Sequence, residues 1–196
     1  MAQLSDRAIR YLLSIGQLVI KPFSDHVSVK GSTSYGLSNA SYDLTLSAKI
    51  KVRQRSLFGR LWDYFFTEPI DLKNIKDDHF AELIIPEEGY VMKPNEKILG
   101  ISNEYIQLPA NVSGLCMQKS TLARVFLHVA VTPLQPTWAG YLVLEIHNTN
   151  DRCVRIHKNM GICGISFHTL DQPVDLEYGK IGKYDEQPAG FPVTAK

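Results

Sequence analysis

The feature that most restricts the possible folds is a succession of short runs rich in branched and aromatic residues, each closed by turn-forming residues. In order they read "ELIIPEEGYVM", "KILGISNEYIQLP", "VSGLCM", "LHVAVTPLQP", "YLVLEIHNT", "CVRIHKN" and "GICGISFHTL". Such runs between turn signals read as β-strands, and their regular spacing predicts a sandwich or a barrel. Upstream, the turn-rich "KGSTSYGLSNAS" leads into "YDLTLSAKIKV", which alternates as a half-buried strand does. "QLVIKPF" is a further short strand ended by Pro22. At the N-terminus Ser5 can cap a short helix whose apolar positions, Ala8, Ile9, Leu12 and Leu13, recur at helical spacing until Gly16 stops it.

The chain has 196 residues, 44% of them hydrophobic. A single domain over 1–196 is expected, with a core that needs neither disulfides nor a structural metal. The segment 179–196, rich in Gly, Pro and charge, is expected to be mobile until a ligand orders it. The aromatic-rich "LFGRLWDYFF", Leu57 to Phe66, reads as a satellite core or subunit contact in preference to a ligand or membrane surface.

With a formal net charge of +1, no global field attracts nucleic acid or an anionic membrane, so any anion site must be local. Cys116, Cys153 and Cys163 are odd in number and irregularly spaced, which points to reduced thiols. No signal peptide and no run of membrane-spanning length is visible, so the cytoplasm is the expected location.

Two stretches carry candidate chemistry, and a zinc site is the third possibility. "GLCMQKSTLAR" nearly matches a phosphate-binding P-loop, but Gln118 stands where glycine should precede Lys119. Cys116, Met117 and Gln118 would crowd a loop whose backbone N–H groups must wrap a phosphate. Lys119, Ser120, Thr121 and Arg124 still gather two cations and two hydroxyls within six residues, a plausible phosphate grip, although on spacing alone a solvated turn is the better reading. A zinc deaminase would carry His-x-Glu and Pro-Cys-x-x-Cys. None of the six histidines begins such a motif, and there is no Cys-x-x-Cys. In "YLVLEIHN", alternation puts Leu142, Leu144 and Ile146 on one face and Tyr141, Val143, Glu145 and His147 on the other. Glu145 is either a solvated strand residue or, in a cleft, a general base.

Taken in order, "LSDRAI", "SYGLSNASYDLTL", "QKSTLAR", "VTPLQPTWAGYLVLEIHNT" and "GKYDEQPAG" resemble the dCTP deaminase family of the dUTPase-like superfamily. The match runs from about Leu4 to Gly190. It implies a mainly β fold: a dUTPase-like distorted barrel or jelly roll with a short N-terminal helix and a mobile C-terminal segment. It also implies zinc-independent deamination of dCTP to dUTP and ammonia. Glu145 is then the general base, Ser120 holds the attacking water and Arg124 supports the catalytic centre. Lys119, Ser120 and Thr121 lie near the triphosphate, and Thr132, Pro133 and Gln135 belong to the hairpin that receives the base. Tyr178, Lys183 and Gln187 match the segment that closes over the phosphates. Mg²⁺ enters with the nucleotide, no zinc is needed, and the family assembles as homotrimers with sites between subunits. Neither nucleic acid nor a membrane is an expected partner.

The departures from the family pattern are Gln118 for glycine, Phe126 in a stretch usually smaller, and Ala130 for a polar residue. Gln135 stands at a usually acidic position, Thr137 for the glycine of Pro-Gly-Trp, and Pro188–Ala189 before Gly190. A β-branched Thr137 would resist any positive-φ backbone. Most departures surround the base-receiving hairpin, which reads as altered substrate preference or regulation. The competing expectations are a dUTPase-type or bifunctional pyrophosphatase, for which Gln135 is a poor base, and a degenerate nucleotide-binding regulator.

Overall fold

The computed structural model describes residues 2–28, 30–53, 80–130, 132–182, 186 and 188–191. The aromatic stretch Leu57–Phe66 lies outside the described residues, as do Lys183 and Gln187.

Helix α1 (Asp6–Ser14) starts where Ser5 Oγ accepts the Ala8 N–H at 3.5 Å, and Gly16 leaves it at φ 72°. Ile9 is its buried anchor. Strands follow as β1 (Val19–Lys21), β2 (Gly36–Leu37), β3 (Tyr42–Arg53), β4 (Phe80–Ile84), β5 (Tyr90–Met92), β6 (Lys97–Gln107) and β7 (Val112–Gln118). A one-turn helix α2 (Ser120–Arg124) precedes β8 (Leu127–Ala130), β9 (Ala139–Asn148), β10 (Val154–Ile156), β11 (Gly161–Thr169) and a last short helix α3 (Tyr178–Ile181). Each run read as β in the sequence forms a strand. No helix among the described residues is long and apolar enough to cross a membrane.

The main sheet is nine-stranded among the described residues, with the order β7-β11-β3-β6-β9-β8 and with β1 on β6 and β2 and β4 on β3. The path nearly closes on itself. Beyond the β7 edge, Gly114 and Leu134 exchange backbone hydrogen bonds of 2.9 and 2.7 Å. At the other end of that seam the Gln118 amide donates to Leu127 O at 2.8 Å, joining β7 to β8. Gln118, the misfit of the P-loop reading, thus acts as a side-chain rung of the barrel. A distorted barrel is the expected architecture.

The curvature comes from registry breaks at one level of the sheet. The β3–β6 pairing shifts between Leu46 and Ile50, β6–β9 between Ile101 and Tyr105, and β11–β3 between Gly161 and Cys163. Bulges bend and twist a strand locally while leaving ladder groups unpaired. Side chains of β6 take up those groups. Glu104 accepts the Thr45 N–H at 2.9 Å and its hydroxyl at 2.7 Å, and Ser102 Oγ accepts the Leu142 N–H at 2.9 Å. Asn103 donates to Thr45 Oγ1 (3.0 Å), Leu46 O (3.2 Å) and Asn159 Oδ1 (3.0 Å).

Inside the barrel, Tyr42, Leu44, Leu46, Ile50, Leu144, Ile165 and Phe167 are all fully buried. Near the C-terminus, Phe191 is buried as well, and its carbonyl accepts a hydrogen bond from Lys51 Nζ at 3.2 Å.

Candidate active site

Lys119 sits between the end of β7 and the start of α2, and its ammonium is paired with the Asp43 carboxylate. The two side chains are only 11% and 15% exposed, and Ser34 Oγ lies 3.5 Å from Nζ. Two glycines make this cluster possible. A Cβ on Gly161 would stand 2.0 Å from Ser34 O, and one on Gly164 would stand 2.9 Å from the Asp43 carboxylate. The loop "GSTSYG" therefore lies directly on β11, held by Thr33 Oγ1 donating to Gly161 O at 2.6 Å. Asp43 and Ser34 were not singled out in the sequence. The available signal was the polar "SYD" that opens an otherwise apolar strand, but nothing in it names Lys119 as the partner.

α2 follows Lys119 at once, while Cys116 to Gln118 remain in β7. No glycine-rich loop connects strand to helix, so a Walker-type phosphate wrap is not formed. Ser120, Thr121 and Arg124 are exposed on this turn, and only Leu122 is buried. The chain leaves α2 through Phe126 at φ 55°, the left-handed position usually given to glycine at a helix end. Thr149 stabilises it by directing both its N–H (2.9 Å) and its hydroxyl (2.7 Å) at Phe126 O.

Glu145 lies on β9, opposite Leu99 of β6 and Ala130 of β8. As alternation predicts, Leu142, Leu144 and Ile146 face inward, while Glu145 faces out. Its side chain is exposed on the single chain, yet the surrounding sheet strips enough water from the carboxyl to raise its pKa above the ordinary 4.5. Its own backbone N–H pulls the other way. The carboxyl has no ion pair among the described residues. Within one chain Arg124 does not hold it. Leu127 pairs with Asn148 and Ala130 with Glu145, so α2 ends beyond a point roughly 10 Å along the strand from Glu145.

The β8–β9 hairpin brings Thr132, Pro133 and Gln135 to the surface, whereas Leu134, Pro136 and Trp138 are buried. Trp138 N–H reaches Gln135 O at 3.2 Å, and Thr137 between them has φ 67°. The positive-φ backbone that glycine would have served is present, with threonine in it. Tyr178, half-buried, opens α3, and its N–H donates to Thr137 Oγ1 at 2.6 Å. The structure thus gathers Lys119, Ser120, Thr121 and Arg124 at the β7–β8 connection, and Gln135 near Tyr178 at the hairpin tip. Glu145 stands on the strand that leaves that hairpin.

A family model described as dCTP deaminase-like matches residues 3–170. The dCTP deaminase of Acidobacterium capsulatum is 36% identical over 184 residues, 93% of each chain. That of Chlamydia caviae is 34% identical over 189 residues, again 93% of each. Among solved structures, the 2′-deoxycytidine 5′-triphosphate deaminase from Agrobacterium tumefaciens shares the fold with a TM-score of 0.58 at 20% identity, over 85% of this chain and 47% of that one. With its barrel, its order of motifs and these matches in agreement, the chain belongs to the dCTP deaminase-like family.

Proposed function

We propose that this protein is a cytoplasmic enzyme that deaminates Mg²⁺-bound dCTP to dUTP and ammonia, with Glu145 as the general base and without zinc. The observation that carries the reading is the Glu145 carboxyl. It is desolvated enough for a raised pKa, unpaired with any cation among the described residues, and placed on the strand leaving the base-side hairpin. A carboxyl whose pKa is raised above its ordinary value holds a proton more readily once it has taken one, which suits a group that must take a proton and return it.

In this mechanism Glu145 removes a proton from water held by Ser120, and the hydroxide oxygen bonds to C4 of cytosine. Glu145 hands that proton to the ring nitrogen N3 as the C4=N3 bond opens, and so becomes a carboxylate again. It then takes the proton of the new C4 hydroxyl and passes it to the amino group; the C4–N bond breaks with its electron pair leaving as ammonia, and the C4 carbonyl forms. Ser120 and Thr121 offer exposed hydroxyls to the triphosphate. Lys119 adds its charge only as far as Asp43 releases it. Arg124 supports a Glu145 of a neighbouring subunit in a homotrimer, since the two do not meet within one chain. Thr132, Pro133 and Gln135 receive the base, and Tyr178, Lys183 and Gln187 belong to the closing segment.

One incubation with dCTP and Mg²⁺ tests the reading. Stoichiometric ammonia and dUTP are expected. Pyrophosphate in place of ammonia would assign the chain to triphosphate hydrolysis, and neither product would make it a nucleotide-binding regulator.

A further inference from the structure

Thr137 combines two properties that a turn residue rarely carries together. It is β-branched at φ 67°, between Pro136 and Trp138 in a turn closed by Trp138 N–H on Gln135 O. Proline at the second position holds φ negative there, so a positive φ at the third makes the turn type II, and type II asks for glycine at that place. Threonine contributes nothing to such a turn except strain. What it adds is a hydroxyl, and that hydroxyl accepts the Tyr178 N–H at 2.6 Å.

Tyr178 is the first residue of α3. The first N–H groups of a helix have no acceptor within the helix, so Thr137 supplies a partner the helix cannot. On either side of this bond, Gln135 and Pro136 from the hairpin and Leu170, Leu176, Tyr178 and Ile181 from the C-terminal stretch wall a cleft of about 600 Å³. The hydrogen bond ties the two walls of that cleft together across a separation of 41 residues.

We infer that Thr137 is a positioning residue for the reaction: its hydroxyl fixes the start of α3 against the base-side hairpin before nucleotide arrives. The strained backbone is retained because glycine, which would relax the turn, cannot make the bond. A nucleotide that meets the hairpin then also meets an α3 already in place, so less ordering of that helix remains to be done on binding. The kinetic part of this inference rests on the deaminase reading above; the structural part does not.

The test compares wild type with Thr137→Gly, Thr137→Ser and Thr137→Val. Amide exchange at Tyr178 and thermal unfolding are measured without nucleotide, and kcat and KM with Mg²⁺-dCTP. Thr137→Gly should melt at or above the wild-type temperature, because glycine adopts this φ without strain. Its Tyr178 amide should nonetheless exchange about tenfold faster, the scale of one lost hydrogen bond. Thr137→Ser should keep slow exchange. The Gly and Val variants should raise KM about fivefold with kcat within about twofold, a loss of binding rather than of chemistry, and Ser should restore KM. Unchanged Tyr178 exchange in Thr137→Gly overturns the inference, as does a Ser variant that loses protection equally or a KM unmoved by the Gly change. If wild type releases no ammonia the functional reading fails, while the exchange and melting results still decide the role of the hydroxyl.

Discussion

Glu145 is exposed enough to meet a substrate and surrounded by enough sheet to hold its proton more tightly than a free carboxyl. The base must be ionised to act, so kcat/KM should fall as pH drops through a value above 4.5, and a profile flat through that region would remove Glu145 from the role. Glu145→Gln keeps the shape but cannot accept the proton. Its kcat should fall by more than the ~10²–10⁴-fold typical of one positioned acid–base group, because the same carboxyl serves several transfers. Binding of dCTP, followed by calorimetry, should stay within about twofold, since an interaction made only in the transition state has been removed. Elsewhere, Phe126 and Thr137 hold left-handed backbones at the two ends of the β8 region. Such residues cost about 1–3 kcal/mol each. Both positions therefore depend on the hydrogen bonds that surround them, which Thr149 supplies for Phe126 and the Gln135–Trp138 turn for Thr137.

Among the elements, β6 carries the largest share of the barrel's shape. It contacts both β3 and β9 across breaks in register, and its "SNE" segment supplies side chains where ladder bonds are missing. Glu104 in that segment is 3% exposed. Burial raises its pKa above 4.5, while the Thr45 N–H and hydroxyl pull it back. A carboxyl whose folded pKa is raised binds its proton more tightly in the native state, so its favourable contribution is full below the unfolded value and is lost as pH rises through the folded one. Stability to urea should therefore decline from about pH 4.5 upward in proportion to this group. Glu104→Gln keeps an acceptor for the Thr45 N–H and should flatten that slope, so its stability relative to wild type rises with pH. A pH-independent difference between the two proteins would show that Glu104 does not titrate in this range.

At the scale of the whole molecule, the single chain holds Arg124 and Glu145 apart along β8, while Leu115, Met117, Val125 and Phe126 leave apolar surface exposed beside α2. A site completed by a neighbouring subunit reconciles both observations. A homotrimer is the expected assembly, and static light scattering at working concentration should give three chains per particle. Inactive Glu145→Gln and inactive Arg124→Ala chains, mixed and allowed to exchange subunits, should then recover part of the ammonia release, because some interfaces unite an intact Glu145 with an intact Arg124. An active monomer, or no recovery in mixed assemblies, would place the whole site within one chain.

What the sequence determined by itself is local or ordered along the chain. Side-chain alternation in the sequence gave β3 and β9, although in β3 the polar Thr45 and Lys51 are buried together with the apolar face; the Ser5 cap and Gly16 stop bounded α1, and the succession of motifs carried the family. Each is written in neighbouring residues, since side-chain alternation and capping are properties of a few successive positions. The tertiary structure alone decided that Lys119 faces Asp43, 76 residues away, that Glu104 stands in for a ladder rung at Thr45, 59 away, and that Thr137 reaches Tyr178, 41 away. Those partners depend on strand register and on where the bulges fall, and a shift of one residue would turn each side chain to the opposite face. No window of the sequence contains both halves of such a pair, so the charge balance at Lys119 and the hold on the C-terminal stretch exist only once the barrel has closed.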